Sequence, residues 1–96
     1  MNILVIEDDR RIASFLERGL TAEGHQVAVE LDGRDGLERA RSDPFDLIIL
    51  DRTLPYVDGI EIARMLRAER RPVLILMLTA KASLQDKITG LKEGAD

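Results

Sequence analysis

Short apolar runs alternate along this chain with segments whose apolar residues recur at three- and four-residue spacing. The runs end at Ile6, Leu31, Asp51 and Leu78. This alternation is typical of repeated βα units and of a parallel sheet, so the pattern predicts an α/β fold. The third and fourth runs lack polar residues in alternate positions. We therefore expect both of these strands to be central in the sheet, with helices covering both of their faces.

The pattern predicts four strands and four helices. The strands are predicted at residues 2–6, 26–31, 46–51 and 73–78, and the helices at residues 10–23, 33–41, 60–69 and from residue 83 onward. In the first helix, one buried stripe is predicted to contain Ile12, Phe15, Leu16 and Leu20. Asp9 is predicted to cap the first helix rather than to bind a metal, because aspartate favours the N-cap position.

Composition narrows the class of protein. The 96 residues are 45% hydrophobic and 33% charged, which fits a single compact domain. Without cysteine and with the single histidine His25, the chain offers no disulfide, thiolate or multi-histidine metal site. The apolar run at 73–78 is far shorter than the roughly 20 residues of a membrane span, and the N-terminus shows no leader, so we expect a cytoplasmic protein. A net charge of -4 argues against nucleic-acid contact by these residues.

Acidic residues follow two of the apolar runs. Glu7 and Asp8 come directly after the first run, and Asp51 closes the third. If these runs are neighbouring parallel strands, the carboxylates share one edge of the sheet, where ligands bind in open α/β folds. Two like charges at about 4 Å cost about 4 kcal/mol at an effective dielectric near 20, so a proton or a cation is expected among them. Thr79, at the end of the fourth run, is expected to add a hydroxyl to this edge.

Carboxylates are the reactive groups that remain once other chemistries are excluded. The first turn, Glu7-Asp8-Asp9-Arg10, would repel the pyrophosphate of a dinucleotide. With no cysteine and only His25 at the start of the second strand, schemes based on a serine or cysteine nucleophile also fail. Oxygen ligands suit Mg²⁺, and an aspartate can accept a phosphoryl group.

Four motifs together make the chain resemble the receiver domain of two-component response regulators over its whole length. They are Ile-Leu-Val-Ile-Glu-Asp-Asp at 3–9, Asp-Arg-Thr-Leu-Pro-Tyr-Val-Asp-Gly at 51–59, Leu-Thr-Ala at 78–80 and Gly-Leu-Lys-Glu-Gly-Ala-Asp at 90–96. The first and last look most like the subfamily with winged-helix DNA-binding output domains. The resemblance implies a flavodoxin-like sheet of order 2-1-3-4-5. Here we expect order 2-1-3-4 in one truncated receiver domain, residues 1–96, with the fifth strand and fifth helix missing.

The resemblance also implies a role for each motif residue. It implies that Asp51 accepts a phosphoryl group from a sensor histidine kinase, as a signalling module rather than an enzyme. It implies Mg²⁺ ligands from Glu7, Asp8, Asp51 and the backbone carbonyl of Thr53. The phosphate contacts it implies are Thr79, which turns toward the phosphoryl group, and the small Ala80, and the rate-tuning positions are Thr53 and Lys81.

Two departures from the family pattern stand out. The lysine that ends the family's fifth strand has no counterpart, because Lys81 and Lys87 lie on other elements. We therefore expect weaker phosphorylation and lost coupling to the output domain. Arg52 stands where the family usually has an apolar residue. The fourth strand, from Val73 to Met77, is expected to be an exposed apolar edge through which two copies associate.

Two other functions stay open. One is a Mg²⁺-dependent phosphatase with an aspartyl nucleophile. That class places two aspartates one residue apart after the first strand, a spacing that Glu7-Asp8-Asp9 lacks. The other is an inactive fragment that self-associates.

Overall fold

A parallel sheet with helices on both faces forms the described part of the chain, residues 1–78 of the computed structural model. The elements are, in order, β1 (Asn2–Ile6), α1 (Arg10–Ala22), β2 (Gln26–Glu30), α2 (Gly33–Ser42), β3 (Leu47–Asp51), α3 (Gly59–Ala68) and β4 (Leu74–Leu78). The four strands are parallel and have the order β2-β1-β3-β4. The fold class, the strand order and these element bounds, each within one residue, confirm the predictions. The helix predicted from residue 83 lies outside the described residues.

Alternate residues along the strands enter two separate hydrophobic clusters, one on each face of the sheet. On one face, Leu4 and Ile6 of β1 pack with residues of α2 and α3, and both are fully buried. On the other face, Ile3 and Val5 pack against α1. Because successive side chains of a strand point to opposite faces, the four consecutive apolar residues of β1, Ile3 to Ile6, contact both layers of helices. β1 is thereby fixed at the centre of the fold.

Helix α1 buries only part of the predicted stripe. Ala13 is buried, and Leu16 and Leu20 pack against the smaller cluster. Ile12 and Phe15, however, are 41% and 69% exposed, so their predicted burial was wrong. The reason is the rotation of the helix: at 100° per residue, positions 13, 16 and 20 share a stripe about 60° wide, and Ile12 and Phe15 lie about 70° and about 130° from its centre.

Strand β4 has one buried face. Ile75 and Met77 are 1% exposed and join the larger cluster, whereas Leu74 and Leu76 are 57% and 42% exposed. The prediction of a central strand covered on both faces was therefore wrong for β4, which ends the sheet within residues 1–78. The physical reason is that α1 packs against β1 and β2, so it does not cover Leu74 and Leu76 of β4. Association of two copies through the residues from Val73 to Met77 stays a prediction.

Within residues 1–78, no helix is long and apolar enough to cross a membrane.

Candidate functional site

The register of the sheet brings the acidic residues of two strands together. Ile6 of β1 pairs with Leu50 of β3, so the next residues, Glu7 and Asp51, follow side by side at the carboxyl ends of parallel strands. Both are buried, at 5% and 6% exposure, whereas Asp8 is exposed. Asp51 also pairs with Leu78, the last residue of β4. The predicted meeting of carboxylates at this edge is what the fold produces.

Three carboxylates form one group that could hold a metal ion. Glu7, Asp8 and Asp51 each offer one oxygen, and these oxygens lie within 4.8 Å of one another. Around an octahedral Mg²⁺ with bonds of about 2.1 Å, adjacent ligands lie about 3.0 Å apart and opposite ligands about 4.2 Å apart, so three oxygens within 4.8 Å of one another need an inward movement before all of them bind one ion. Donors that are oxygens only, two of them buried, suit a hard cation. The residues therefore fit Mg²⁺.

Backbone N–H groups orient two of these carboxylates. The N–H of Asp9 donates to the Glu7 carboxylate at 3.0 Å, and the N–H of Thr53 donates to Oδ1 of Asp51 at 3.4 Å. Thr53 is thus placed beside Asp51, while the role of its carbonyl as a metal ligand stays a prediction. The side chain of Asp9 itself accepts from the N–H groups of Arg11 and Ile12. Asp9 is the N-cap of α1, as predicted, and not a member of the acidic group.

Crowding and burial make this group hard to ionise. Burial, followed by the charge of Glu7, raises the pKa of Asp51 from 3.8 to about 7. Burial also raises the pKa of Glu7, to which the neighbouring Asp8 contributes. These directions follow because desolvation and a nearby like charge both disfavour a carboxylate. Near neutral pH and without a cation, a large fraction of the molecules therefore keeps a proton on Asp51, and a proton is one of the two expected compensations.

The backbone at Gly59, the first residue of α3, lies close to the backbone of Asp51 and Arg52 and so holds the loop between them in place. The N–H of Gly59 donates to the Arg52 carbonyl at 2.9 Å, and a Cβ at Gly59 would lie 2.0 Å from the carbonyl oxygen of Asp51. A Cβ at Gly33 would similarly lie 2.0 Å from the carbonyl oxygen of Val57 in the same loop. Only glycine fits at these two helix starts. The sequence analysis did not predict this contact of Gly59, for which the Asp58-Gly59 pair at the helix start is the sole signal in the sequence.

Contacts of three arginines, at both ends of α3, were also not predicted from the sequence. The guanidinium of Arg34 lies 4.4 Å from the ring centre of Tyr56, a cation–π contact across the same loop. At the opposite end of α3, Glu69 accepts hydrogen bonds from Arg41 and Arg71. These arginine contacts depend on tertiary placement, which residue spacing does not reveal. The predicted phosphate contacts Thr79 and Ala80 and the rate-tuning Lys81 lie outside the described residues.

Comparison with known proteins gives consistent matches over nearly the whole chain. Residues 3–96 match the model of the response regulator receiver domain. The response regulator ArlR of Staphylococcus haemolyticus is 46% identical over 95 residues, which are 99% of this chain and 43% of that protein. ArlR of Staphylococcus aureus is 47% identical over 94 residues, or 98% of this chain and 42% of the relative. The chain thus spans less than half of the length of the curated relatives it matches.

Solved structures agree with these sequence matches. The receiver domain of the Francisella response regulator 1452 has a TM-score of 0.90 at 34% identity, covering 99% of this chain and 78% of that one. The Thermotoga maritima response regulator TrrA, solved in complex with Mg²⁺ and BeF, has a TM-score of 0.85 at 29% identity, covering 99% of this chain and 81% of that one. With the family model matching nearly every residue, the chain belongs to the family of response regulator receiver domains of two-component systems.

Proposed function

We propose that this receiver domain is a phosphoacceptor module in which Asp51 takes a phosphoryl group from a sensor histidine kinase. The observation that carries the proposal is the convergence of Asp51 with Glu7 and Asp8, whose oxygens lie within 4.8 Å of one another. Glu7, Asp8, Asp51 and the Thr53 carbonyl would hold Mg²⁺. The relatives it matches are named response regulators. We further propose a cytoplasmic location and control of a DNA-binding output domain outside this chain.

The chemistry is transfer between two nucleophiles. A carboxylate oxygen of Asp51 forms a bond to phosphorus, while the bond between phosphorus and the kinase imidazole nitrogen breaks. The departing nitrogen keeps the electron pair of that bond, and no external oxidant or reductant is needed. When bound, Mg²⁺ would offset the repulsion between carboxylates and phosphoryl oxygens.

The proton that crowding retains at the site affects this reaction. A protonated Asp51 has lost most of its nucleophilicity, and its pKa of about 7 keeps a large fraction protonated at neutral pH. Metal ligands must be deprotonated, so cation binding and proton release are coupled. Asp51 is thus ready to react in the same state in which the acidic group binds its cation.

A labelling experiment tests the proposal. The chain is incubated with acetyl phosphate and Mg²⁺, and intact mass spectrometry with peptide mapping should find one phosphoryl group on Asp51. Asp51→Asn should abolish the adduct. Asp58→Asn is the matched control, because Asp58 is exposed, lies in the adjacent loop and makes no capping hydrogen bond. Absence of an Asp51 adduct refutes the proposal, and turnover of many equivalents of phosphoester would identify a phosphatase instead.

A further inference from the structure

Tyr56 lies at the centre of a strained turn in the loop between β3 and α3. Its φ is 72°, a backbone conformation that bulky side chains rarely adopt. The N–H of Val57 donates to the carbonyl oxygen of Pro55 at 2.9 Å, so residues 55–57 form a γ-turn with a positive φ at its centre. This form of the turn is rare and strained, and it persists only where surrounding contacts hold it.

Two contacts from the start of α2 hold this turn. The carbonyl oxygen of Pro55 accepts a second hydrogen bond, at 3.0 Å, from the N–H of Gly33. Gly33 is the first residue of α2, and its N–H has no partner within the helix. The guanidinium of the next residue, Arg34, lies 4.4 Å from the ring centre of Tyr56. One backbone hydrogen bond and one side-chain stacking contact therefore join the turn to α2.

The turn lies close in sequence to backbone that contacts Asp51. Thr53, two residues before the turn, donates its N–H to Oδ1 of Asp51 at 3.4 Å. On the other side of Thr53, the carbonyl of Arg52 accepts a hydrogen bond from the start of α3. Leu54, between Thr53 and the turn, is buried in the larger hydrophobic cluster. The backbone of Thr53 is held from both directions, so opening of the turn would loosen it on one side.

We propose that Tyr56 and Arg34 are positioning residues for the acidic site: their stacking keeps the strained turn closed, and the closed turn fixes the backbone of Thr53 for Mg²⁺. This inference rests on the proposed function, in which the Thr53 carbonyl is a ligand of the ion. Loss of the stacking should open the turn more often. A bound ion should keep the turn closed, because a ligand that binds only one of two states shifts the population toward that state.

Solvent exchange of the Gly33 N–H, measured by NMR in EDTA, tests the first consequence, because this N–H is released when the turn opens. Tyr56→Ala and Arg34→Gln should each raise the exchange rate about two- to fivefold, the change in equilibrium that an exposed cation–π contact supplies. The double variant should exchange no faster than either single variant, because both remove the same contact.

Three further variants separate stacking, strain and charge. Tyr56→Phe keeps an aromatic ring and should exchange like the wild-type chain. Tyr56→Gly also loses the ring, but glycine adopts a positive φ without strain, so the Gly33 N–H should exchange more slowly than in Tyr56→Ala. Arg64→Gln is the control for charge, because it removes an exposed arginine from α3, and it should leave the exchange rate unchanged.

Mg²⁺ tests the second consequence. At ten times the Kd obtained by calorimetric titration, the ion should slow exchange of the Gly33 N–H in the wild-type chain about tenfold. The matched control is the N–H of Asp43 at the other end of α2, which donates to the Arg39 carbonyl at 3.1 Å and should exchange at the same rate with and without the ion.

Two results would overturn the proposal. One is a wild-type exchange rate of the Gly33 N–H in both Tyr56→Ala and Arg34→Gln. The other is exchange that Mg²⁺ does not slow, since contacts that merely stabilise the loop would leave it independent of the ion. If the wild-type chain gives no adduct on Asp51, the proposed function fails, whereas slowing of Gly33 exchange by Mg²⁺ would still support the positioning role.

Discussion

Replacing Asp51 by asparagine should stabilise the metal-free fold. The substitution removes one of three crowded negative charges, two of which are buried. Asparagine keeps an oxygen that can accept the Thr53 N–H, as Oδ1 of Asp51 does at 3.4 Å. Its NH₂ group can donate to the Glu7 carboxylate, which a second carboxylate cannot do without a proton. The variant thus retains the shape of the site and loses its repulsion.

The size of the effect follows from the pKa of Asp51. A folded-state pKa of about 7 against an ordinary value of 3.8 means that ionising Asp51 destabilises the fold. At 1.36 kcal/mol per pKa unit, the destabilisation is at most about 4 kcal/mol. Between about pH 4 and pH 7 the folded chain binds a proton that the unfolded chain releases, so wild-type stability falls as the pH rises through this window and is lowest above it.

Urea unfolding at pH 5 and at pH 8 in EDTA measures this difference. We expect Asp51→Asn to exceed the wild-type chain by about 1–3 kcal/mol at pH 8 and by roughly half as much or less at pH 5, since Asp51 of the folded wild-type chain then keeps its proton and only the unfolded chain ionises. Mg²⁺ should narrow the gap at pH 8 by stabilising the wild-type chain through binding. The exposed Asp58→Asn should change stability little at either pH. Equal or lower stability of Asp51→Asn at pH 8 would refute the reasoning that the carboxylates repel one another.

Two further predictions concern the loop after the site and the end of α3. Gly59→Ala should lower the unfolding midpoint sharply and weaken Mg²⁺ binding, because the new Cβ would lie 2.0 Å from the Asp51 carbonyl oxygen. Gly19→Ala is the control, because nothing lies within 4 Å of its Cβ, and it should be neutral or stabilising. Equal midpoints of the two variants in thermal unfolding would contradict the contact at Gly59. Glu69→Gln should destabilise at pH 7, since Arg41 and Arg71 lower the pKa of Glu69 to about 2. This contribution is complete above about pH 4.5 and is lost as the pH falls through about 2, so acid unfolding curves of the two chains should converge there.

The sequence predicted correctly those parts of the fold that depend on the local spacing of apolar residues. Apolar runs and helical spacing determine where strands and helices lie, and the order of parallel strands brings Glu7 next to Asp51. The errors arose where burial depends on which element covers a face. Phe15 and Leu16 are adjacent and both apolar, yet only packing against β1 and β2 decides which one the helix buries. Likewise, apolarity of Leu74 does not reveal that its face of β4 is open.

The site combines a rigid frame with a charge imbalance that the frame does not relieve. Strands β1 and β3 are held by a hydrophobic cluster on each face, and the contact of Gly59 with the Asp51 carbonyl fixes the loop between β3 and α3. Because neither strand end can move apart, Glu7 and Asp51 cannot reduce their repulsion by separating. The remaining ways to reduce it are a proton, a bound cation, or covalent change at Asp51 itself. The stability of this fold therefore depends on protonation, cation binding and covalent modification at the acidic edge of the sheet.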